Sequence, residues 1–269
     1  MRRFSMPRTV NWPFAAQNHA DPEAPLFTAQ HGAMPPTPPS TLRVLSYNIF
    51  YGRAAERAAQ ELVAFHAERP LDIVLLQEMD ETGTELIARA LAMNSVYYPA
   101  AVIRRHGRNF GNAVLARWPL ETPEKVILPH RSLTTRLMRT ATKASVRIGE
   151  RTIVALSAHT ETVFTLPAFR RAQYAVLGAA HATAPHVIIG GDFNSVTAYD
   201  IGKLQHAFAA SGFARVSADG HTLARYGVKV TADHIFARGF SVVAAGVCKN
   251  TRASDHRPIW VELAMEGDA

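Results

Sequence analysis

Four apolar runs in this chain end on a side chain that can hold a cation or move a proton, and a fifth is preceded by such side chains. VLSYN closes on Asn48, DIVLLQE on Glu78, TIVALSAH on His159, and HVIIGGDFNS on Asp192 and Asn194, while Ser254, Asp255 and His256 stand just before PIWVEL. Carboxylate and amide oxygens are hard donors suited to Mg2+ or Mn2+, and no Cys/His spacing of the kind zinc requires is present. A histidine with an aspartate partner is either a general base or an electrostatic partner for phosphate. Each residue also has an ordinary explanation. Asp192, Asn194 and Asn48 are types that cap turns, Glu78 opens the acidic turn EMDET, and His159 is one of 12 histidines. Their recurrence at the ends of separate apolar runs is what points to a metal-assisted hydrolytic site.

The elements that must position them follow from apolar runs and turn residues. Strands are predicted to begin near residues 42, 72, 95, 111, 142, 151, 186, 232, 240 and 258, several as continuous branched runs and others alternating. Helices are predicted over 53–67, 83–93, 167–182, where Pro167 suits a first turn, and 198–211. Many strands with few helices fit an α+β fold in which two stacked sheets carry helices on their outer faces. Residues 1–41 hold prolines at 7, 13, 22, 25, 35, 36, 38 and 39 and no sustained period. They are expected to form an extended or disordered arm that can be removed without loss of the fold. A single domain is expected over 42–266.

At 269 residues, 48% hydrophobic and 19% charged, the chain has the makeup of a soluble globular domain with a large core. No apolar run approaches the ~20 residues that span a bilayer, so integral membrane association is not expected. The start MRRFSMPRTVNWPF lacks an apolar stretch behind its charges, and the one cysteine, Cys248, cannot form an internal disulfide. A cytoplasmic, reducing compartment is the expectation, with Cys248 as core and a monomer as the oligomeric state. The net charge of +7 suggests a polyanionic partner, with phosphates the first candidate. Basic residues cluster at 103–110 and 130–143, where they either track a phosphate backbone or form solvated loops.

Taken in order, LSYNIF, LLQE, GNAVLAR, SAH, GGDFNS, ADHIF and SDHRPIWVEL resemble the endonuclease/exonuclease/phosphatase (DNase I-like) superfamily over about residues 42 to 264. The resemblance implies a four-layer α/β/β/α sandwich, two mixed sheets flanked by helices, and Mg2+- or Mn2+-dependent hydrolysis of a phosphoester. It also implies roles. Glu78 is the principal metal ligand with Asn48 beside it, and Asp255 joins through water. His256 is the general base or phosphate-polarising group, held by Asp233. His159 binds a phosphate oxygen, Asp192 and Asn194 orient the attacking water and the phosphate, and Asn112 supports the pocket. The substrate expected is a phosphate-containing molecule, nucleic acid among the candidates, cleaved as by a phosphodiesterase of nuclease type. A phosphomonoesterase, a lipid-headgroup phosphodiesterase and an inactive phosphate-binding module are the alternatives. Phe50, where apurinic endonucleases carry an acid, and His234, where the family more often has Tyr, depart from the pattern.

Overall fold

The structure is a computed structural model and describes residues 16–32, 35, 37–105, 107–179, 183–225 and 227–265. Its strands fall into two main sheets. The first runs β1 (Ala16–Asn18), β5 (Asn94–Ile103), β6 (Arg108–Ala116), β4 (Ile73–Met79), β3 (Thr41–Asn48), β16 (Ile259–Met265), β15 (Phe240–Val247), with β2 (Phe27–Ala29) also on β5. The second runs β11 (Ala214–Arg215), β14 (Asp233–Arg238), β10 (Val187–Asp192), β9 (Arg151–His159), β8 (Met138–Ile148), β7 (Leu120–Arg131). A separate hairpin joins β12 (Leu223–Arg225) to β13 (Val228–Val230). Both main sheets are mixed, because β3 pairs β4 and β9 pairs β10 in parallel while their other neighbours are antiparallel.

Period-two alternation then builds three apolar layers. Ile73 and Leu75 of β4 and Ile188 of β10 meet between the sheets. Val74 and Leu76 face the other way, against Ala58 and Leu62 of α1 (Ala55–Glu68) and Ile87 of α2 (Glu81–Ala90). Val187 and Ile189 cover Tyr174 and Leu177 of α3 (Pro167–Ala179) and Leu204 and Phe208 of α4 (Ala198–Ala209). The result is the expected four-layer sandwich. Strands covered on both faces are continuous apolar runs for this reason. Two helix starts are capped as their residue types demand: Asp80 accepts from the Gly83 N–H at 2.8 Å and Thr197 from the Asp200 N–H at 3.1 Å.

The sheets come close where GGDF leaves β10. A Cβ on Gly190 would lie 2.7 Å from Leu75 Cδ1 of the facing sheet, and one on Gly191 would lie 1.8 Å from the Ala158 carbonyl oxygen. At Gly191 the obstacle is backbone and only glycine fits, whereas at Gly190 it is the end of the Leu75 side chain. This approach lets side chains of the two sheets touch at their common end.

Two expectations need correction. The stretch 120–131 is a twelve-residue edge strand, and β8 begins at Met138, so part of the expected basic loop 130–143 is sheet. Residues 16–32 are not a free arm. Ala16–Asn18 pairs with Ala101–Ile103, and Phe27–Ala29 pairs with Ser95–Tyr97. The buried Lys125 ammonium donates to the carbonyls of Asp21 and Ala24 at 2.7 and 2.5 Å. The part of the expected arm over residues 1–15 lies outside the described residues. Deleting residues 1–32 is therefore expected to lower the melting temperature by roughly 5 °C or more, on a scale of ~2–4 °C per kcal/mol for a chain this long. A melt unchanged from the full chain would show that the two short strands add nothing.

Candidate active site

Register places three of the expected residues in one row. Asp192 of β10 stands opposite His159 of β9 on one side and Asp233 of β14 on the other. In the facing sheet, β3 ends on Asn48, paired with Gln77, and Glu78 is the next residue of β4. Alternation would turn Glu78 away from the sheet interface, since Gln77 points into it and donates to Ser157 Oγ at 2.9 Å. Glu78 instead adopts a left-handed backbone (φ 59°) at the irregularity between Leu76 and Met79, which re-aims its carboxylate. Phe50 and Tyr51 also have positive φ, and their tight turn brings the Tyr51 N–H to Glu78 Oε2 at 2.9 Å.

The groups converge. Asn48 Nδ2 donates to Asp192 Oδ2 at 3.0 Å across the sheets and to Glu78 Oε1 at 3.3 Å. His159 lies with Nε2 3.5 Å from Asp192 Oδ2 and Nδ1 3.9 Å from Glu78 Oε1. His256 Nδ1 is 2.8 Å from Asp233 Oδ2 and its Nε2 is 3.7 Å from Asp192 Oδ2. All of these side chains are buried or nearly so.

Asp192 uses its two carboxylate oxygens differently. Its Oδ1 accepts the Asn194 N–H at 2.9 Å, which is a turn-capping bond. Its Oδ2 faces Asn48, His159 and His256. Asn194, at φ 49°, spends its Nδ2 on the Thr160 carbonyl at 3.1 Å and so fixes the turn that carries Asp192.

Burial in so small a volume sets the charges. Desolvation pushes the Asp192 carboxyl up to about 7, opposed by His256 and reinforced by Asp233. Desolvation also raises Glu78, against His256 and Arg139. For His256 burial opposes the cation, yet Asp233 and Asp192 outweigh it and push the imidazole up to about 10. His159 moves the other way, well below its ordinary value, through burial and then the Arg139 and His256 cations.

Asp255 and Asn112 stand apart from this group. Asp255 Oδ2 is 3.8 Å from Arg225 Nε and its Oδ1 is 3.5 Å from Ser254 Oγ. Asn112 donates to the Thr140 carbonyl at 2.7 Å and ties β6 to β8 between the sheets. Several neighbours escape the sequence. Thr222 Oγ1 donates to Asp233 Oδ2 at 2.6 Å, and Ser254 Oγ donates to the Asn48 carbonyl at 2.7 Å. Arg139 lies 3.0 Å from His159 Nε2 and is paired with Glu161 at 2.8 Å. Glu161, two residues past His159, and Arg139, opening the alternating run RTATKAS, are the only traces of that pair in the sequence.

The donor set suits a hard divalent cation. Glu78 and Asp192 are carboxylates whose burial disfavours their charge, and Asp233 Oδ1 has no hydrogen-bond partner. Asp192, Asp233 and His256 place ligand-type atoms within 4.8 Å of one another. Asp233 Oδ2 is already bonded to His256, and both Glu78 oxygens accept hydrogen bonds, Oε1 from Asn48 Nδ2 and Oε2 from the Tyr51 N–H.

The model of the endonuclease/exonuclease/phosphatase family matches residues 45–256. No curated protein sequence matches the chain. Among solved structures, Danio rerio TDP2 in complex with a single-strand DNA product is similar at a TM-score of 0.68 and 19% identity, over 84% of this chain and 99% of that one. An endonuclease/exonuclease/phosphatase protein of Beutenbergia cavernae gives 0.67 and 21%, over 85% and 72%. Sphingomyelinase C of Streptomyces griseocarneus gives 0.62 and 17%, over 83% and 99%. The three share the fold with this chain.

Proposed function

Because the chain belongs to the endonuclease/exonuclease/phosphatase family, whose fold suggests phosphoester hydrolysis and whose members generally use divalent metals, we propose that it is a Mg2+- or Mn2+-dependent phosphodiesterase of nuclease type. The observation that carries this reading is the convergence of Glu78, Asn48, His159, Asp192, Asp233 and His256 from two sheets onto one buried cluster.

Glu78 would hold the cation with Asn48 beside it. Asn48 here turns its Nδ2 to Glu78 and Asp192 while its Oδ1 accepts the Phe50 N–H at 3.0 Å. It thus acts first as a bridge between the two carboxylates. When bound, the cation supplies Lewis-acid polarisation of the phosphoryl group. His256, proton-bearing at neutral pH beside Asp233 and Asp192, suits the phosphate-polarising role better than that of base. Asp192, with its carboxyl pushed up to about 7, suits uptake of a proton from the attacking water as the P–O bond to the leaving group breaks. Asp255, facing Arg225, has a lesser part than the resemblance implies.

Nucleic acid is the first substrate class because the chain is basic and Arg104, Arg105, Arg131 and Arg136 are exposed. A TDP2 neighbour carries single-strand DNA. A lipid-headgroup diester is the second reading, favoured by Phe164 at 91% exposure and by Leu133 and Leu166, each 54% exposed, in the loops after β7 and β9. No helix among the described residues is long and apolar enough to cross a membrane.

A panel of single- and double-stranded DNA, RNA, a nitrophenyl diester, a nitrophenyl monoester and sphingomyelin vesicles, with Mg2+ or Mn2+ and with EDTA, tests the proposal. Metal-dependent, EDTA-sensitive cleavage of a diester is expected. Turnover of the monoester alone would replace the reading with a phosphomonoesterase. Phosphate binding without turnover of anything would leave an inactive binding module.

A further inference from the structure

His159 has an unusual partner for a histidine in a hydrolytic cluster. Arg139 Nη1 lies 3.0 Å from His159 Nε2, nearer than any carboxylate oxygen comes to that atom, Asp192 Oδ2 being at 3.5 Å. The guanidinium is itself held. Its Nε donates to Glu161 Oε1 at 2.8 Å, with both side chains almost fully buried, and the Glu161 N–H donates to Gln173 Oε1 at 2.8 Å. Strand β8 supplies the arginine and the segment just past the neighbouring strand β9 supplies the glutamate.

An arginine has five N–H donors and no acceptor. A hydrogen bond at this contact therefore requires a lone pair on His159 Nε2, and the ring proton must reside on Nδ1. The other neutral tautomer would set two donors against each other at 3.0 Å, and an imidazolium would add a second cation beside the first. The remaining atom completes the picture. His159 Nδ1 is buried with no hydrogen-bond partner, and Glu78 Oε1, at 3.9 Å, is beyond bonding distance. A buried donor without a partner in a site of this kind is directed at something the protein does not itself supply.

We propose that Arg139 is a positioning residue that locks His159 as the neutral Nδ1–H tautomer, so that His159 gives one fixed hydrogen bond to a non-bridging phosphoryl oxygen and takes no part in proton transfer. The second half rests on the phosphodiesterase reading; the first half does not. The arrangement separates the two histidines of the site. His256 is paired with a carboxylate through Nδ1, which holds its proton. His159 is paired with a cation through Nε2, which keeps that nitrogen bare. A donor fixed in advance on the developing phosphoryl charge works without reorganisation during the reaction. Glu161 serves this function at one remove, by fixing the plane of the guanidinium.

The tautomer can be read directly. In the full chain labelled with 15N-histidine, with and without Mg2+, long-range proton–nitrogen correlations identify which ring nitrogen carries the proton, and His159 is assigned by its loss in His159→Gln. Protonated Nδ1 with bare Nε2 at neutral pH is expected. A proton on Nε2, or on both nitrogens, overturns the proposal without need of any further variant. Arg139→Met is expected to release the lock, giving mixed tautomers, and to lower kcat on a diester about 10²-fold, with KM changed less than about threefold. Arg139→Lys, which keeps a donor, is expected to retain the tautomer and most of the rate. An Arg139→Met chain that folds and keeps the wild-type tautomer overturns the proposal. If Arg139→Met does not fold, the wild-type and Arg139→Lys spectra decide. Should the wild type cleave no diester, the phosphodiesterase reading fails while the spectrum still decides the tautomer.

Discussion

Replacing Glu78 by Gln is expected to lower metal-dependent turnover by roughly 10²–10³-fold, the loss typical of removing a group that neutralises transition-state charge, while leaving the fold intact in the absence of metal. The residue keeps its shape, and the amide can still accept the Tyr51 N–H that Glu78 Oε2 accepts at 2.9 Å. What disappears is a carboxylate whose charge burial disfavours and which shares its space with Asp192. Relief of that repulsion offsets the loss of the bond that Asn48 Nδ2 donates to Glu78 Oε1 at 3.3 Å, which the single amide oxygen cannot also accept. Mg2+ binding to the native state raises its melting temperature by mass action, and this rise is expected in the wild type and not in Glu78→Gln. Asp255→Asn serves as the comparison. Its side chain faces Arg225 and Ser254, so a loss of about tenfold is expected, the low end of the range for outer-shell contacts. Wild-type rates for Glu78→Gln, or a Mg2+-induced rise that survives it, would reject Glu78 as the principal ligand.

The contrast between Glu78 and Asp255 shows where reading the sequence stops. The strands that carry the site are legible because both sheets are covered on both faces, so VLSYN, IVLLQE and VIIGGD read as unbroken apolar runs with a polar residue at the end. Side-chain direction is not legible. Alternation would turn Glu78 away from the site, and only its left-handed backbone brings it back. Asp255, adjacent to His256 in the chain, points elsewhere. Strand β7 is hidden for a different reason: Pro123 and Pro129 argue against a strand, yet it lies at the sheet's edge, where a missing donor is tolerated. The edge strands β1 and β2 are three residues each, too short for any period to emerge from a proline-rich segment. Arg139 reads as one more basic residue in a loop until β8 is seen to begin at Met138. Its partner Glu161 comes from a separate segment past the end of β9, and a pairing between such distant segments leaves no spacing signal in the sequence.

His256→Ala and Asp233→Ala are expected to be strongly non-additive in rate and in stability. The two side chains share one bond, His256 Nδ1 to Asp233 Oδ2 at 2.8 Å, and that same oxygen accepts from Thr222 Oγ1 at 2.6 Å. Thr222 is in turn fixed by the N–H groups of Ala232 and Asp233, so the carboxylate is held before the imidazole meets it. Through Oδ2, Asp233 acts on the reaction by way of His256, setting which nitrogen bears the proton and where Nε2 points. Each single change is expected to lower turnover by roughly 10² to 10⁴, and the double variant to be little worse than His256→Ala. Stability offers an independent reading. His256→Ala leaves Asp233 and Asp192 buried without their shared cation, a loss of about 3–5 kcal/mol for a broken buried pair. Removing Asp233 as well relieves one of the stranded carboxylates, so the double variant is expected to melt above His256→Ala. If Asp233 merely closed the turn to Thr222 and His256 worked alone, the two rate losses would multiply and the double variant would melt lowest of the three. Turnover on one diester and thermal melts of the wild type, both single variants and the double variant separate the two cases, since the pair predicts saturation and a recovered melt where independent residues predict a product and a sum.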